Sequence, residues 1–246
     1  MVSKTICGSY QNFLNKLFYV RGMMNNIQAV KLIIENIQYL EQAKKLLESE
    51  ITENLCSAID SKIRNFIEGL ENQWNGVFNF YEDQIQFAPE SWRAKEGDDF
   101  KHQHFYARYF LGCESDEIGG EATEWWLSTF LKNDVDSMVF NFYPWRENFL
   151  KCSAKDWKNF ANEKNQAYPQ IEQKGFKYNA KEGSWYLIIE GIDPVTFIEN
   201  YESDNLEDAL APIEVALSKL KQVHHYLDEI VKAAIRKFNQ EENTVV

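Results

Sequence analysis

From Ile27 to Leu47 apolar residues recur every three or four positions, at Val30, Ile33, Ile34, Ile37, Leu40, Ala43 and Leu47. That spacing lines one face of an α-helix of about five turns. A second stripe follows at once through Ile51, Leu55, Ile59, Ile63, Phe66, Leu70 and Trp74, with Asn75-Gly76 as its stop. The join around Glu48–Glu50 is polar, which leaves either an antiparallel pair or one long bent helix. A shorter helix is predicted before both, over Tyr10–Val20, ending at Arg21-Gly22.

After Gly76 the period changes. Val77–Tyr81 and Gln84–Ala88 read as short strands around a turn at Asp83, and Phe100–Leu111 as a long aromatic strand ending at Gly112. Ser137–Tyr143 and Trp185–Glu190 supply two more strands. Glu121–Leu131 and Ser153–Asn162 read as helices, the latter with Ser153 as N-cap and Asp156 at its third position. A closing helix carries Leu206, Leu210, Ile213, Leu217, Leu220, Val223, Leu227, Ile230, Ala234 and Phe238, with Pro212 compatible with its first turn. The sum is an α+β layout: helices over residues 1–75, an antiparallel, aromatic-rich sheet with helical insertions over 76–204, and a closing helix over 205–246 that packs back on the first ones as one integrated domain.

Composition supports a packed core: 44% of the 246 residues are hydrophobic, with 17 Phe, 12 Tyr and 7 Trp against only 11 Gly and 5 Pro. No apolar run approaches the roughly 18 to 20 residues of a membrane span, and no secretory leader is visible, so the expected setting is cytoplasmic, with no membrane partner. Cys7, Cys56, Cys113 and Cys152 are too widely spaced for a zinc-ribbon pattern and read as reduced thiols. Charge is unevenly placed. Residues 1–75 are balanced at eight basic and eight acidic, so the net −12 falls on residues 76–246, and 76–150 hold 6 basic against 14 acidic. Such a surface repels phosphate backbones over a Debye length of roughly 10 Å, which disfavours nucleic acid and favours a protein partner with a basic surface.

Alternation along Phe100–Leu111 sorts Phe105, Ala107, Tyr109 and Leu111 to a core face and His102, His104, Tyr106, Arg108 and Phe110 to the other. His102 and His104 then point together as metal ligands would, but no second spaced ligand pair accompanies them, so no metal and no cofactor is expected. His104, Tyr106 and Arg108 form a polar strip, and Trp145-Arg146 belongs to a dense aromatic segment where rings beside Arg could receive a flat ligand or fill a core. His224 and His225, about 100° apart on a helix, read as surface and edge residues. Nucleophile-elbow, Walker, dinucleotide and HExxH motifs are absent, so no catalytic residue is assigned. The acidic loop residues Asp98, Asp99, Asp116 and Glu117 complete the candidate binding set.

The run Phe142-Tyr143-Pro144-Trp145-Arg146-Glu147-Asn148-Phe149, followed by Ser153–Trp157 and taken with Trp74 and the closing helix, resembles the C-terminal accessory region of uncharacterised PD-(D/E)XK-like bacterial and phage proteins. The resemblance implies a phage or bacterial defence or anti-defence setting. The family's nuclease core needs an Asp and an (Asp/Glu)-x-Lys on neighbouring strands to hold Mg²⁺ and orient water. Asp60-Ser61-Lys62 and Asp156-Trp157-Lys158 match formally but fall on predicted helices, and Glu172-Gln173-Lys174 lies outside any apolar strand. The expectation is a non-enzymatic acidic binding protein. The rivals are a metal-dependent nuclease using Glu172, Lys174 and Asp156, and a small-ligand or nucleotide sensor using Arg108 and Trp145.

Overall fold

The computed structural model describes residues 26–82, 84–97, 99–115, 125–131 and 136–239. The helix predicted over Tyr10–Val20, the turn at Asp83 and the first four residues of the helix predicted over Glu121–Leu131 lie outside the described residues. The chain divides into two compact units, Met1–Ile51 and Thr52–Val246.

In the first unit, helices α1 (Asn26–Glu35) and α2 (Ile37–Leu46) are separated by Asn36, whose backbone leaves the helical region at φ −116°, ψ 13°. Its side-chain amide donates to the Leu32 carbonyl at 2.8 Å, a local bond that competes with helix continuation. The polar join is itself helical: Leu47–Ile51 form a π turn, within which the Ser49 hydroxyl donates back to the Lys45 carbonyl at 2.8 Å.

The second unit is α+β. Helix α3 (Thr52–Glu68) opens it and buries Leu55, Cys56, Ala58, Ile59, Ile63 and Ile67, the face its apolar period predicts. It stops earlier than the period suggests. Gly69 follows it and Asn72 takes a left-handed φ of 74°, so the chain reverses. Trp74, Asn75 and Gly76, read as the end of that helix, instead begin strand β1 (Trp74–Asn79), opposite Pro89, Ala88 and Phe87 of β2 (Gln84–Pro89). The remaining strands are β3 (Ala107–Ser115), β4 (Asp136–Pro144), β5 (Phe176–Asn179) and β6 (Ser184–Ile188). All pairings are antiparallel, in the order β1-β2-β3-β4-β6-β5.

Between β3 and β4 lies the short α4 (Trp126–Phe130). Between β4 and β5 come α5 (Ala154–Ala167) and α6 (Gln170–Gln173), and α7 (Pro194–Glu202), α8 (Leu206–Ala209) and α9 (Ala211–Asn239) close the chain. α5 starts where the sequence predicts, with a complete Ser153–Asp156 capping box. α9 buries Ile213, Leu217, Leu220, Val223, Leu227 and Ile230 among others, and its Glu214 pairs with Lys62 of α3 at 2.9 Å, so these two predicted partners do meet.

The core is organised by one aromatic row across the sheet. Register places Phe87, Tyr109, Phe142, Trp185 and Tyr178 side by side on β2, β3, β4, β6 and β5. Their ring centroids step at 5.5, 5.8, 5.7 and 5.1 Å, the offset and tilted spacing aromatic pairs prefer. Phe105, Ala107, Tyr109 and Leu111 are all buried, as alternation predicts. The segment before Ala107, however, is not strand: His102–His104 form a 3₁₀ turn and Phe105 makes a single bridge to Arg93. The His104 carbonyl accepts from the amides of both Ala94 and Lys95, at 2.7 and 3.2 Å, which folds this stretch into a turn.

Candidate binding site on the outer face of β3 and β4

Residues of β3 that alternate with the core set face the other side of the sheet. Register sets Arg108 opposite Tyr143 and Phe110 opposite Asn141. Trp145 follows Pro144 at the end of β4, and its amide donates to the Tyr106 carbonyl at 2.8 Å, fixing where its ring stands. The result is a guanidinium enclosed by rings. Arg108 Cζ lies 5.5 Å from the Phe110 centroid, 5.8 Å from Tyr143 and 5.5 Å from Trp145, within cation–π range. His102 meets Trp145 edge-on at 4.6 Å.

Arg108 is the unusual member. Its Nε and Nη1 are buried with no hydrogen-bond partner, and it forms no ion pair among the described residues. Burial holds its pKa below the ordinary arginine value, with Tyr143 pulling the other way. Arginine nevertheless remains charged in proteins. His102 is pushed down by burial and then by the Arg108 charge, which favours the neutral imidazole.

Of the residues singled out in the sequence, Arg108 and Trp145 come together. His104 and Tyr106 do not join them, because neither is on a strand. The His104 ring packs against Gly97, where a Cβ would lie 3.1 Å from it, and its Nδ1 is buried without a partner. Tyr106 turns toward α9: its hydroxyl accepts from Asn239 Nδ2 at 2.8 Å and its ring packs on Phe149 at 5.0 Å. Arg146 sits on the 3₁₀ turn Arg146–Asn148, where its charge partly offsets the burial and Asp156 effects that raise the Cys152 thiol to about 11. Asp99 is exposed, whereas Asp98, Asp116 and Glu117 lie outside the described residues. Phe110 joins the site through the alternation along β3, and Tyr143 through strand register, which no local motif encodes.

The expectation that His224 is a surface residue is overturned. Its Nδ1 shares a 2.9 Å hydrogen bond with the Tyr109 hydroxyl, and its half-buried ring lies tilted against Trp74 at 4.7 Å and Trp92 at 5.4 Å. Trp92 Nε1 donates to Asp228 at 2.9 Å, and Asp228 pairs with Lys232 at 2.6 Å. Burial drives the His224 pKa down to about 4. His225, the neighbouring residue, is exposed, as read. Beside Trp74 a cleft of about 520 Å³ opens between the end of α3 and β1. Its Glu90 is already engaged by Arg93 and Asn75, at 2.5 to 3.0 Å, so the cleft offers little unsatisfied chemistry. Among the described residues, Arg108 instead carries two buried nitrogens without partners.

The acid–Lys triplets all lie on or at the ends of helices. Asp60 accepts from the Phe80 amide at 2.8 Å, Asp156 caps α5, and Glu172 accepts from Asn165 at 3.2 Å. No group of three or more His, Cys, Asp or Glu placed to hold a metal ion occurs among the described residues, and no helix among them is long and apolar enough to cross a membrane. Comparison with protein-family models, curated proteins and solved structures gives no match.

Proposed function

We propose that this is a non-enzymatic binding protein that engages a protein partner through the outer face of β3 and β4, with Arg108 at the centre and Phe110, Tyr143 and Trp145 around it. One observation carries the reading: a charged guanidinium is held among three rings with two of its nitrogens unpartnered. Leaving buried donors unmet costs about 1–3 kcal/mol, more for a charged group, so the arrangement does little for the fold itself. Arg, Trp and Tyr are also the types that dominate the energetics of protein interfaces, where they act from desolvated pockets. The acidic excess of residues 76–150 suits a steering role toward a partner whose wider surface is basic, since rim charge acts on encounter while the packed centre governs dissociation. The carboxylates of the acid–Lys triplets have structural tasks, which supports binding over metal-dependent cleavage.

Quantitative affinity capture from the native host tests this. Wild-type protein is compared with Arg108→Gln, Trp145→Ala and a control, Lys219→Ala, on α9. A specific partner is expected with wild type and control and lost with both site variants. Capture that is indifferent to Arg108 and Trp145 overturns the proposal.

A further inference from the structure

The side chains around the cleft beside Trp74 are largely committed to one another, but the main chain next to it is not. In the β1–β2 pairing the Glu90 amide donates to the Gln73 carbonyl at 2.9 Å, and the register that aligns these two also aligns Asn75 with Ala88 and Val77 with Gln86. Antiparallel ladders bond at every second residue, so Asn75 and Val77 turn their amides and carbonyls toward β2, and Trp74, Gly76 and Phe78 turn theirs outward. β1 is the end strand of the sheet. Arg64 of α3 donates to the outward Phe78 carbonyl at 3.3 Å, whereas the outward amides and carbonyls of Trp74 and Gly76 have no partner among the described residues.

The opposite end of the sheet is guarded differently. β5 is four residues long and carries Lys177, a length and a charge that both discourage further pairing. β1 runs for six residues in unbroken register with no charged residue and no proline. An edge of that kind is a template for another strand.

The cleft decides what sort of strand fits. It holds about 520 Å³ and lies between Ile67 and Glu68 at the end of α3 and Trp74, Gly76 and Phe78 of β1. Residues directly opposite each other on neighbouring strands send their side chains to the same face. A residue set against Gly76 therefore projects toward Ile67, Trp74 and Phe78, where the glycine contributes no side chain of its own. Those walls suit an apolar side chain. A second copy of the chain is a poorer occupant, because two β1 strands paired about a two-fold axis form one sheet with the same face up. Each copy would then bring its own α3 and Glu68 to the edge where the other's already stand. A free segment brings neither.

We infer that the edge of β1 is a docking site for an extended peptide segment of a partner protein, which adds as a further strand beside Trp74 and Gly76 and places an apolar side chain in the cleft between α3 and β1. The site is separate from the Arg108 face and does not depend on it.

Linear peptides selected from a random display library on the immobilised full chain supply the probes, and each is synthesised in capped form for titration by NMR. At saturation the amides of Trp74 and Gly76 should gain at least about tenfold protection from hydrogen exchange, while those of Asn75 and Val77, already bonded to β2, should change little. N-methylation is then walked along the peptide. Methyl groups on the amides that face β1 should weaken binding at least about tenfold, and those on the intervening amides should not, because only the first set bonds to the strand. Arg108→Gln should bind the peptide as wild type does. Binding without protection at Trp74 and Gly76, or without alternation in the methylation series, overturns strand addition. A selection that yields no saturable peptide overturns it as well, and so does a dimer, detected by sedimentation, that protects Trp74 and Gly76 in the absence of peptide. Peptides that are lost with Arg108→Gln and silent at β1 remove this site and leave the Arg108 reading standing. Peptides that protect β1 while partner capture ignores Arg108 do the reverse.

Discussion

Tyr109 and His224 stand 115 positions apart in the chain and 2.9 Å apart in the fold, joined by a hydrogen bond between the central strand β3 and helix α9. Burial keeps the Tyr109 hydroxyl protonated, its pKa well above the usual phenol value, with the Asp228 charge adding to the effect. On His224 burial acts in the opposite sense and dominates. Asp228 pulls its pKa up, His225 and Lys232 push it down, and the result is about 4.

A pH dependence of stability follows. The folded imidazole binds its proton less readily than the unfolded one, whose pKa is about 6.5. Between those values the unfolded chain carries more protons, so stability rises with pH across this window. The contribution is fully present above about pH 6.5 and lost as the pH falls toward 4, on the order of 2–3 kcal/mol. Urea unfolding at pH 7, 5.5 and 4.5 measures it. His224→Gln, which removes the titration and keeps an amide for Tyr109, should flatten this part of the profile.

Arg108→Met should leave stability unchanged or raise it, because a buried, unpartnered cation is replaced by an apolar chain of similar reach. A loss exceeding about 1 kcal/mol in urea unfolding would show that the three rings stabilise the charge enough to make it a structural element. The same variant should lose partner capture, so stability and binding part company at this residue.

Gly183 closes the β5–β6 turn with φ at 69°, and its carbonyl accepts from Trp157 Nε1 at 2.8 Å. A Cβ there would lie 2.8 Å from that same nitrogen and 2.9 Å from Trp157 Cδ1, both belonging to a buried ring. Gly183→Ala therefore combines left-handed strain with a clash and should cost about 2 kcal/mol or more by thermal or urea unfolding. A neutral result would show that α5 can shift away from the hairpin.

Lys62 and Glu214 join α3 to α9 at 2.9 Å, with the Glu214 side chain 58% exposed. Screening keeps such a bond small, so Lys62→Ala or Glu214→Ala should change stability by no more than about 1 kcal/mol, and 1 M salt should erase most of that. The apolar seam alongside it carries the α3–α9 packing.

Much of the fold was legible because period and capping are local signals. The stripe of α9, the Ser153–Asp156 start of α5 and the alternation of Phe105, Ala107, Tyr109 and Leu111 each depend on neighbours a few positions away. The misreadings have the opposite character. Trp74 continues the period of α3 by coincidence, and its place in β1 is decided by pairing with Pro89. The four-residue β5 and the nine-residue α7 are too short for a clear period. At the site, Arg108 and Trp145 were visible as an arginine near aromatics. Tyr143 enters only through the β3–β4 register, and His224 leaves the surface only because Tyr109, Trp74 and Trp92 are waiting where α9 lands.

The position of α9 in the chain also sets a timetable for biosynthesis. Tyr109 emerges first, and the residue that completes its hydrogen bond follows 115 positions later. At translation speeds of about 5–20 residues per second that interval is roughly 6 to 23 s. Until it ends the nascent chain holds Trp92, Tyr109 and, once 33 further residues have been added, Phe142 without the helix that supplies His224 and Asp228. An aromatic surface left uncovered for seconds is the kind that chaperones capture and that aggregates when they do not, and α9 is the element that covers it.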